Sequence, residues 1–385
     1  MVKLLSDGTI YEAVPQNYVM PMEKRPGNVI PAWEAIPVVD LKGGNPNGEE
    51  LATVVEQIID AGKEFGFLQV INHGVPENVI NEMMRVAEEF FDMPIEEKLP
   101  YYSTDLSKLP RLHTSAPGKE HEEVSYWRDC LKLACYPTEN FMHTWPEKPR
   151  KFREALLVYT MEVRGVALKL LKLICEGLRL DERYFDGELS GGGLVTSVNH
   201  YVPCPDPSIT LGVPGHCDPN LITILLQGKV NGLQVLYKEN WIGVEPIPRA
   251  FVVNFGEQLE IITNGMMKSA EHRAVTNKTA SRTTIASFIA PTMDSLISPA
   301  PALINEKNPP LYRSFLYKEI SHGLIDYTNI LDEFVASSKC ELDELICLHV
   351  LLLLLHRKLL HVLLDVKQIV DLFLSFVESF SRLDR

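Results

Sequence analysis

From Leu194 to Pro291 the chain is cut by Pro, Gly and Asn into short apolar runs rich in β-branched residues, and this punctuation limits the fold more than any other feature. Runs so short and so bounded are strands, expected at 194–202, 220–227, 232–237, 249–254, 267–275 and 283–290. Strands at that density bury their apolar faces by packing two sheets together; spacing alone leaves several sandwich topologies open. The preceding text is of a different kind. Leu51, Val54, Val55, Ile58 and Ile59 recur at helical spacing within 50–65, ahead of a strand at Phe67–Ile71. A second helix is expected at 77–91, ending before Pro94, and a long amphipathic one at 149–178 as a spine for the β core. Residues 36–41 read as an edge strand that tolerates Pro37. Residues 1–35, rich in Pro, are expected to drape over the body with one short helix. Residues 99–121 lack periodicity and read as a mobile loop, a candidate lid.

Within the strand-rich part, GHCDPNLITILLQ places His216 and Asp218 two residues apart at the head of an apolar run. On a strand, positions i and i+2 share a face, so one imidazole and one carboxylate can reach the same ion. His272, in SAEHRAVTN, is the third candidate ligand. Two histidines and a carboxylate on one face of an octahedron suit Fe(II) and leave three positions open. Ten residues further on stand Arg282 and Thr284, in a strand where Thr284, Ala286 and Phe288 alternate with Thr283, Ile285 and Ser287. A guanidinium inside an apolar strand needs an anion, and a guanidinium beside a hydroxyl suits a buried carboxylate. Asn199 and Tyr201 share a parity on another strand and are candidates for further polar contacts to the same acid.

These motifs, with IPVVDL, FGFLQVINHGV and EEFFDMPIEEK upstream and NGLQVLYKENWIGVEPIPRAFVVNFGEQLEIITNGMMKSAEHRAV downstream, resemble the plant Fe(II)/2-oxoglutarate-dependent dioxygenases from about Ile36 to Asp332. YWRDCLKLACYP and WPEKPRKFREAL are similar to the branch holding hyoscyamine hydroxylase and the mugineic acid dioxygenases. The resemblance implies a mixed α/β chain with a mainly β core, a double-stranded β-helix or jelly roll. It divides the chain into a helix-rich amino-terminal region (1–192), the jelly-roll core (193–295), helices over the core (296–335) and an atypical tail (336–385). It implies Fe(II) on His216, Asp218 and His272. It also places the 5-carboxylate of 2-oxoglutarate on Arg282, Thr284 and Tyr201, with Asn199 beside them. Dioxygen and a small specialised metabolite are then the remaining reactants, ascorbate the reductant, and succinate and carbon dioxide the by-products. Hydroxylation is the expected reaction, with epoxidation, desaturation and demethylation open, and an alkaloid-like cation is the favoured substrate. The family usually carries Ser where Thr284 stands, a common Tyr where His200 stands, and a bulkier side chain in place of Ser197. Family members are commonly monomeric.

Composition narrows the alternatives. A net charge of −14 argues against nucleic acid or an anionic membrane as partner. Seven scattered cysteines without a C-x-x-C pair form neither a disulfide framework nor a structural zinc site, and MVKLLSDGTIYEAVP lacks a secretory h-region. A cytoplasmic location is expected. Tyr126, Phe255 and Phe288 are candidates for the substrate pocket. His73 and Cys217 read as structural, His200 as structural by its parity, and His113, His121 and His143 as ordinary surface or hydrogen-bonded residues. The carboxyl end departs from the family: Leu359, Val362, Leu363, Val366, Ile369, Val370 and Phe373 give an amphipathic helix. The uncharged run 345–355 is too short for a membrane span. That tail reads first as a product of altered splicing or an imperfect gene model, second as a partner-binding or membrane-surface helix, and third as a helix packed on the domain itself. Two rival functions remain: a catalytically silent dioxygenase fold whose tail engages a partner, and a zinc hydrolase, in which the Arg282–Thr284 pair has no role.

Overall fold

Apolar residues at three- and four-residue intervals produce the long helices expected: α1 (Glu49–Glu64), α2 (Glu77–Asp92) and α3 (Phe152–Leu178), with a short α4 (Glu257–Ile262). The computed structural model describes residues 4–27, 36–43, 49–115 and 124–321. The expectations for His121 and for the tail from 336 onward lie outside the described residues. Along α3, Phe152, Leu156, Tyr159, Val163, Val166, Leu170 and Ile174 form the buried stripe. Burying each such side chain contributes about 1.5–3 kcal/mol relative to exposure. The helix ends at Arg179, whose left-handed backbone lets its N–H donate to the Cys175 and Glu176 carbonyls.

The strands run, in chain order, β1 (Val38–Asp40), β2 (Phe67–Ile71), β3 (Arg111–Thr114), β4 (Asp129–Tyr136), β5 (Gly193–Tyr201), β6 (Leu211–His216), β7 (Ile222–Leu226), β8 (Leu233–Tyr237), β9 (Asn240–Gly243), β10 (Phe251–Phe255), β11 (His272–Val275), β12 (Arg282–Ala290), β13 (Leu296–Ile297) and β14 (Phe315–Leu316). One sheet has the order β1-β2-β10-β7-β12-β5-β4-β3, a second β6-β11-β8-β9, and β13 pairs with β14. The pairing is antiparallel except for β1 with β2 at the edge of the large sheet. Leu233, Val235 and Ile242 of the small sheet pack against Phe67 and Val252 of the large one, and α2 and α3 cover the large sheet's other face. The arrangement is a jelly roll. Four strands from the stretch before residue 192 complete the large sheet, so the amino-terminal and core stretches share it.

Several sequence expectations need correction. The stretch 99–121 is not loop throughout: β3 lies within it and pairs with β4. His113, expected as an ordinary surface or hydrogen-bonded residue, is buried on that strand, its Nδ1 without a partner among the described residues. Between 267 and 275 only β11 is strand, because the turn at 263–265 that leaves α4 is followed by an irregular link through 271. Strands β4, β6 and β9 were not expected. Their sequences, DCLKLACY, LGVPGH and NWIG, are broken by charge, Pro or Gly and lack a clean apolar run. Most consequentially, His216 and Asp218 do not share a strand. His216 ends β6, and Asp218 lies in the link to β7, where Pro219 cannot donate to a ladder.

Candidate active site

A cavity of about 520 Å³ lies between the two sheets, and His216, Asp218 and His272 sit on its wall. His216 and His272 are brought together by strand register: they are direct cross-strand partners on β6 and β11. Their rings lie 4.3 Å apart. The link after β6 then carries Asp218 back, so that its Oδ1 lies 3.5 Å from His216 Nε2 and 3.7 Å from His272 Nε2. Ligands on one octahedral face of a first-row ion stand on the order of 3 Å apart, so small side-chain shifts close this set around an ion. The three ligand atoms lie within 4.8 Å of one another.

The partners of the outer atoms decide which atoms are free. His216 Nδ1 pairs with the Pro214 carbonyl at 2.9 Å and His272 Nδ1 with that of Ala270 at 3.1 Å. Each carbonyl requires a proton on Nδ1, which leaves the Nε2 lone pair directed inward. Asp218 Oδ2 accepts from Thr223 Oγ1 at 2.6 Å and from Asn254 Nδ2 at 2.7 Å, leaving Oδ1 as the open donor atom. Burial opposes ionisation of Asp218, yet the charges of His272 and His216 and the Thr223 bond hold its carboxyl well below the ordinary range. Burial and the neighbouring His216 charge pull His272 down to about 4. Burial pushes His216 the same way, but its bond to Asp218 prevails and raises it. A buried carboxylate kept charged beside two imidazoles with directed lone pairs fits a divalent metal. Phe67 packs edge-on against His272, with ring centroids 5.2 Å apart.

Arg282 lies deeper in the same cavity with Thr284, Tyr201 and Asn199. β12 pairs with β5 so that Arg282 faces Tyr201 and Thr284 faces Asn199. Arg282 Nε donates to the Val230 carbonyl at 3.0 Å, and its guanidinium lies 5.1 Å from the Tyr201 ring centroid. Tyr201 also hydrogen-bonds the Arg282 side chain, and the Nη donors that remain can meet an anion. Gly232 permits this placement, since a Cβ there would stand 3.0 Å from Arg282 Cδ and from the Val275 carbonyl oxygen. Gly212 likewise leaves room for the Tyr201 ring, 2.5 Å from where its Cβ would be.

Of the pocket candidates, Tyr126 and Phe288 line the cavity and Phe255 does not. On β10, alternation turns Asn254 inward, while Phe255 packs with Met267 against Gly62 of α1. His200 is on the outer face of β5, stacked 4.8 Å from Phe91 and bonded to Thr283 Oγ1. His73 is a local structural bond, pairing with the Arg249 carbonyl and accepting from Val75 N–H. Cys217 turns away toward the Ser269 carbonyl, and His143 is exposed. Sequence reading missed Thr223, Asn254, Arg128 and Lys132. Each is a polar residue in or beside an apolar strand, and that was the available signal.

Such geometry defines the non-haem iron oxygenases. Residues 193–291 match the 2OG-Fe(II) oxygenase superfamily model, and 36–149 match the non-haem dioxygenase in morphine synthesis N-terminal model. The chain is 43% identical over 323 residues to 2'-deoxymugineic-acid 2'-dioxygenase of Hordeum vulgare, covering 83% of this chain and 92% of that protein. It is 40% identical over 321 residues to hyoscyamine 6-dioxygenase of Hyoscyamus niger, covering 80% and 91%. Among solved structures it is similar to JOX2 in complex with 2OG, Fe and JA. That match has a TM-score of 0.74 and 31% identity, covering 82% of this chain and 91% of that one. The chain belongs to the 2OG-Fe(II) oxygenase superfamily. It is a 2-oxoglutarate-dependent dioxygenase of the plant type, using Fe(II) and 2-oxoglutarate. Among the described residues, no helix is long and apolar enough to cross a membrane.

Proposed function

We propose that His216 Nε2, His272 Nε2 and Asp218 Oδ1 hold Fe(II), and that Arg282, with Thr284 and Tyr201, anchors the 5-carboxylate of 2-oxoglutarate, Asn199 standing beside them. The observation that carries this reading is the occupation of every outward atom of the three ligands by a protein partner. When bound, iron and cosubstrate supply the O2-dependent oxidation of a substrate C–H bond, with succinate and carbon dioxide released. The chain's own work is positional. The Pro214 and Ala270 carbonyls fix the imidazole tautomers, and Thr223 and Asn254 occupy Asp218 Oδ2, so that Oδ1 would be the atom offered to iron. The Val230 carbonyl aims Arg282. Phe67, Leu225, Leu233 and Phe288 give the cavity apolar walls that limit water near the reacting centre.

The reaction assigned is hydroxylation of a small specialised metabolite seated near Tyr126 and Phe288. The chain is read as a cytosolic monomer. All five described cysteines are free thiols, which supports a reducing compartment; elution as a single chain tests the second half of that reading. Of the divisions expected, 192/193 and 295/296 follow the superfamily match over 193–291. The large sheet crosses the first, β13 and β14 lie within 296–321 where helices were expected, and 335/336 falls outside the described residues. Anaerobic addition of Fe(II) and 2-oxoglutarate should give a visible charge-transfer band. His216→Ala should lose it through the metal. Arg282→Met should lose it at ordinary cosubstrate concentration but keep the metal, as measured by iron content after desalting. A band of wild-type strength in both variants refutes the assignment.

A further inference from the structure

The cavity wall carries more positive charge than the reaction's own reagents can neutralise. Among the described residues that line it, the cations are Arg128, Lys132, Arg273 and Arg282, and Asp218 is the one carboxylate. On the assignment above, Fe(II), Asp218, Arg282 and the 2-oxoglutarate dianion cancel one another. Arg273 is held elsewhere: Nε donates to Gln234 Oε1 at 2.8 Å, Nη2 to the Pro26 carbonyl at 2.5 Å, and its guanidinium lies 4.0 Å from the Trp241 ring centroid. Arg128 and Lys132 are left over. Arg128 donates through Nη1 to Asn199 Oδ1 at 2.8 Å, and its buried Nε has no partner among the described residues. No carboxylate among the described residues pairs with either side chain.

Strand register explains why this charge faces inward. Lys132 on β4 lies opposite Ser197 on β5, and both line the cavity. On its other side Lys132 lies opposite Arg111 of β3, whose Nη1 donates to the Asp105 carbonyl while its buried Nε has no partner among the described residues. Burial lowers the Lys132 ammonium from its ordinary value, and the Arg111 and Arg128 charges add to that against the opposing pull of Cys130 and Asp218. A cation so placed gains most from an anionic partner. The small Ser197 side chain leaves room for one in front of it.

We infer that Lys132, supported by Arg128, is a specificity-determining residue that receives a carboxylate of the prime substrate, so the enzyme selects an organic acid over a neutral or cationic molecule. The chain's net charge of −14 is no guide here, since the described wall of the cavity has the opposite sign. An ammonium-bearing alkaloid would face Arg128 and Lys132 without a described carboxylate to meet it, apart from the metal-side Asp218. An acid with an apolar skeleton would place its body on Phe288, Val195 and Leu225 and its charge on Lys132.

The inference rests on the iron and cosubstrate assignment, and the test keeps the two separate. Calorimetric titration of the full chain, saturated with Fe(II) and 2-oxoglutarate under argon, would use matched trios. One trio is 3-phenylpropanoate, its methyl ester and 3-phenylpropylamine; the others carry indolyl and cyclohexyl groups in place of phenyl. The acid of at least one trio should bind about tenfold or more tighter than its ester and amine. Lys132→Met should erase that preference, and Lys132→Arg should keep it. The charge-transfer band, read in the same samples, reports separately on the iron and cosubstrate site and on folding of the variants. An acid preference below about tenfold in every trio, a preference untouched in Lys132→Met, or no saturable binding by any acid overturns the inference. A missing band in the wild type instead overturns the assignment beneath it.

Discussion

Asn254→Leu isolates one bond at the metal centre. Asn254 is buried on β10, and its Nδ2 gives Asp218 Oδ2 one of that atom's two hydrogen bonds, at 2.7 Å. Leucine has similar volume and no donor, so the perturbation is chemical and leaves the packing nearly filled. Hydrogen bonds to charged groups are worth about 1.5–3 kcal/mol, equivalent to about a 10- to 100-fold change in an equilibrium constant. Part of that loss falls on the metal-free protein, whose Asp218 carboxylate keeps only Thr223. The rest falls on Fe(II) affinity, because a carboxylate free to rotate no longer presents Oδ1 alone; removing outer partners of metal ligands commonly costs about 10- to 100-fold. The assay is anaerobic Fe(II) titration at saturating 2-oxoglutarate, following the charge-transfer band, with the melting temperature of the metal-free protein taken in parallel. Fe(II) Kd within about twofold of wild type would refute the claim that this bond directs the ligand.

Three further outcomes follow from the same site. His216 has a raised folded-state pKa, so its pairing with Asp218 stabilises the metal-free protein fully below the ordinary imidazole value and is lost as pH rises through the raised one. Fe(II) competes with that proton, so iron affinity should strengthen over the same rise in pH; melting curves with and without Fe(II) should diverge, and parallel curves would contradict this. Thr284→Ser removes a methyl beside the 5-carboxylate position and should lower the KM for 2-oxoglutarate by about fivefold, the worth of roughly 1 kcal/mol; an unchanged KM refutes the crowding. Gly232→Ala pushes on Arg282 Cδ and the Val275 carbonyl oxygen, and should raise that KM about tenfold with iron content unchanged; steady-state kinetics and metal analysis check it.

The sequence exposes residues whose chemistry conflicts with their surroundings. Arg282 in an apolar strand and two histidines with an aspartate in a β-rich stretch are legible because nothing about packing asks for them. Parity also puts Asn199, Tyr201 and Phe288 on the face that lines the cavity, and it places His200 on the outer face. It fails where the strand itself was misjudged. His216 and Asp218 are neighbours because a strand ends between them, and His216 meets His272 through a ladder whose partners no local pattern reveals. Phe255 was a pocket candidate only as an aromatic in apolar surroundings, and on β10 it lies on the face opposite Asn254. Thr223 and Asn254 were invisible for a related reason: each looks like a minor polar interruption until the fold brings Asp218 to it.

The cross-strand pairing of His216 with His272 has a consequence beyond catalysis. Among the described residues β6 is an outermost strand of the small sheet, held to that sheet through β11, and its last residue is His216, proposed above as an iron ligand. A bound ion therefore acts as a rivet at the end of a seam that backbone hydrogen bonds alone would leave to fray. Iron scarcity would then weaken the protein's hold on its own border as well as halt its chemistry, tying the enzyme's lifetime to the supply of the metal it uses.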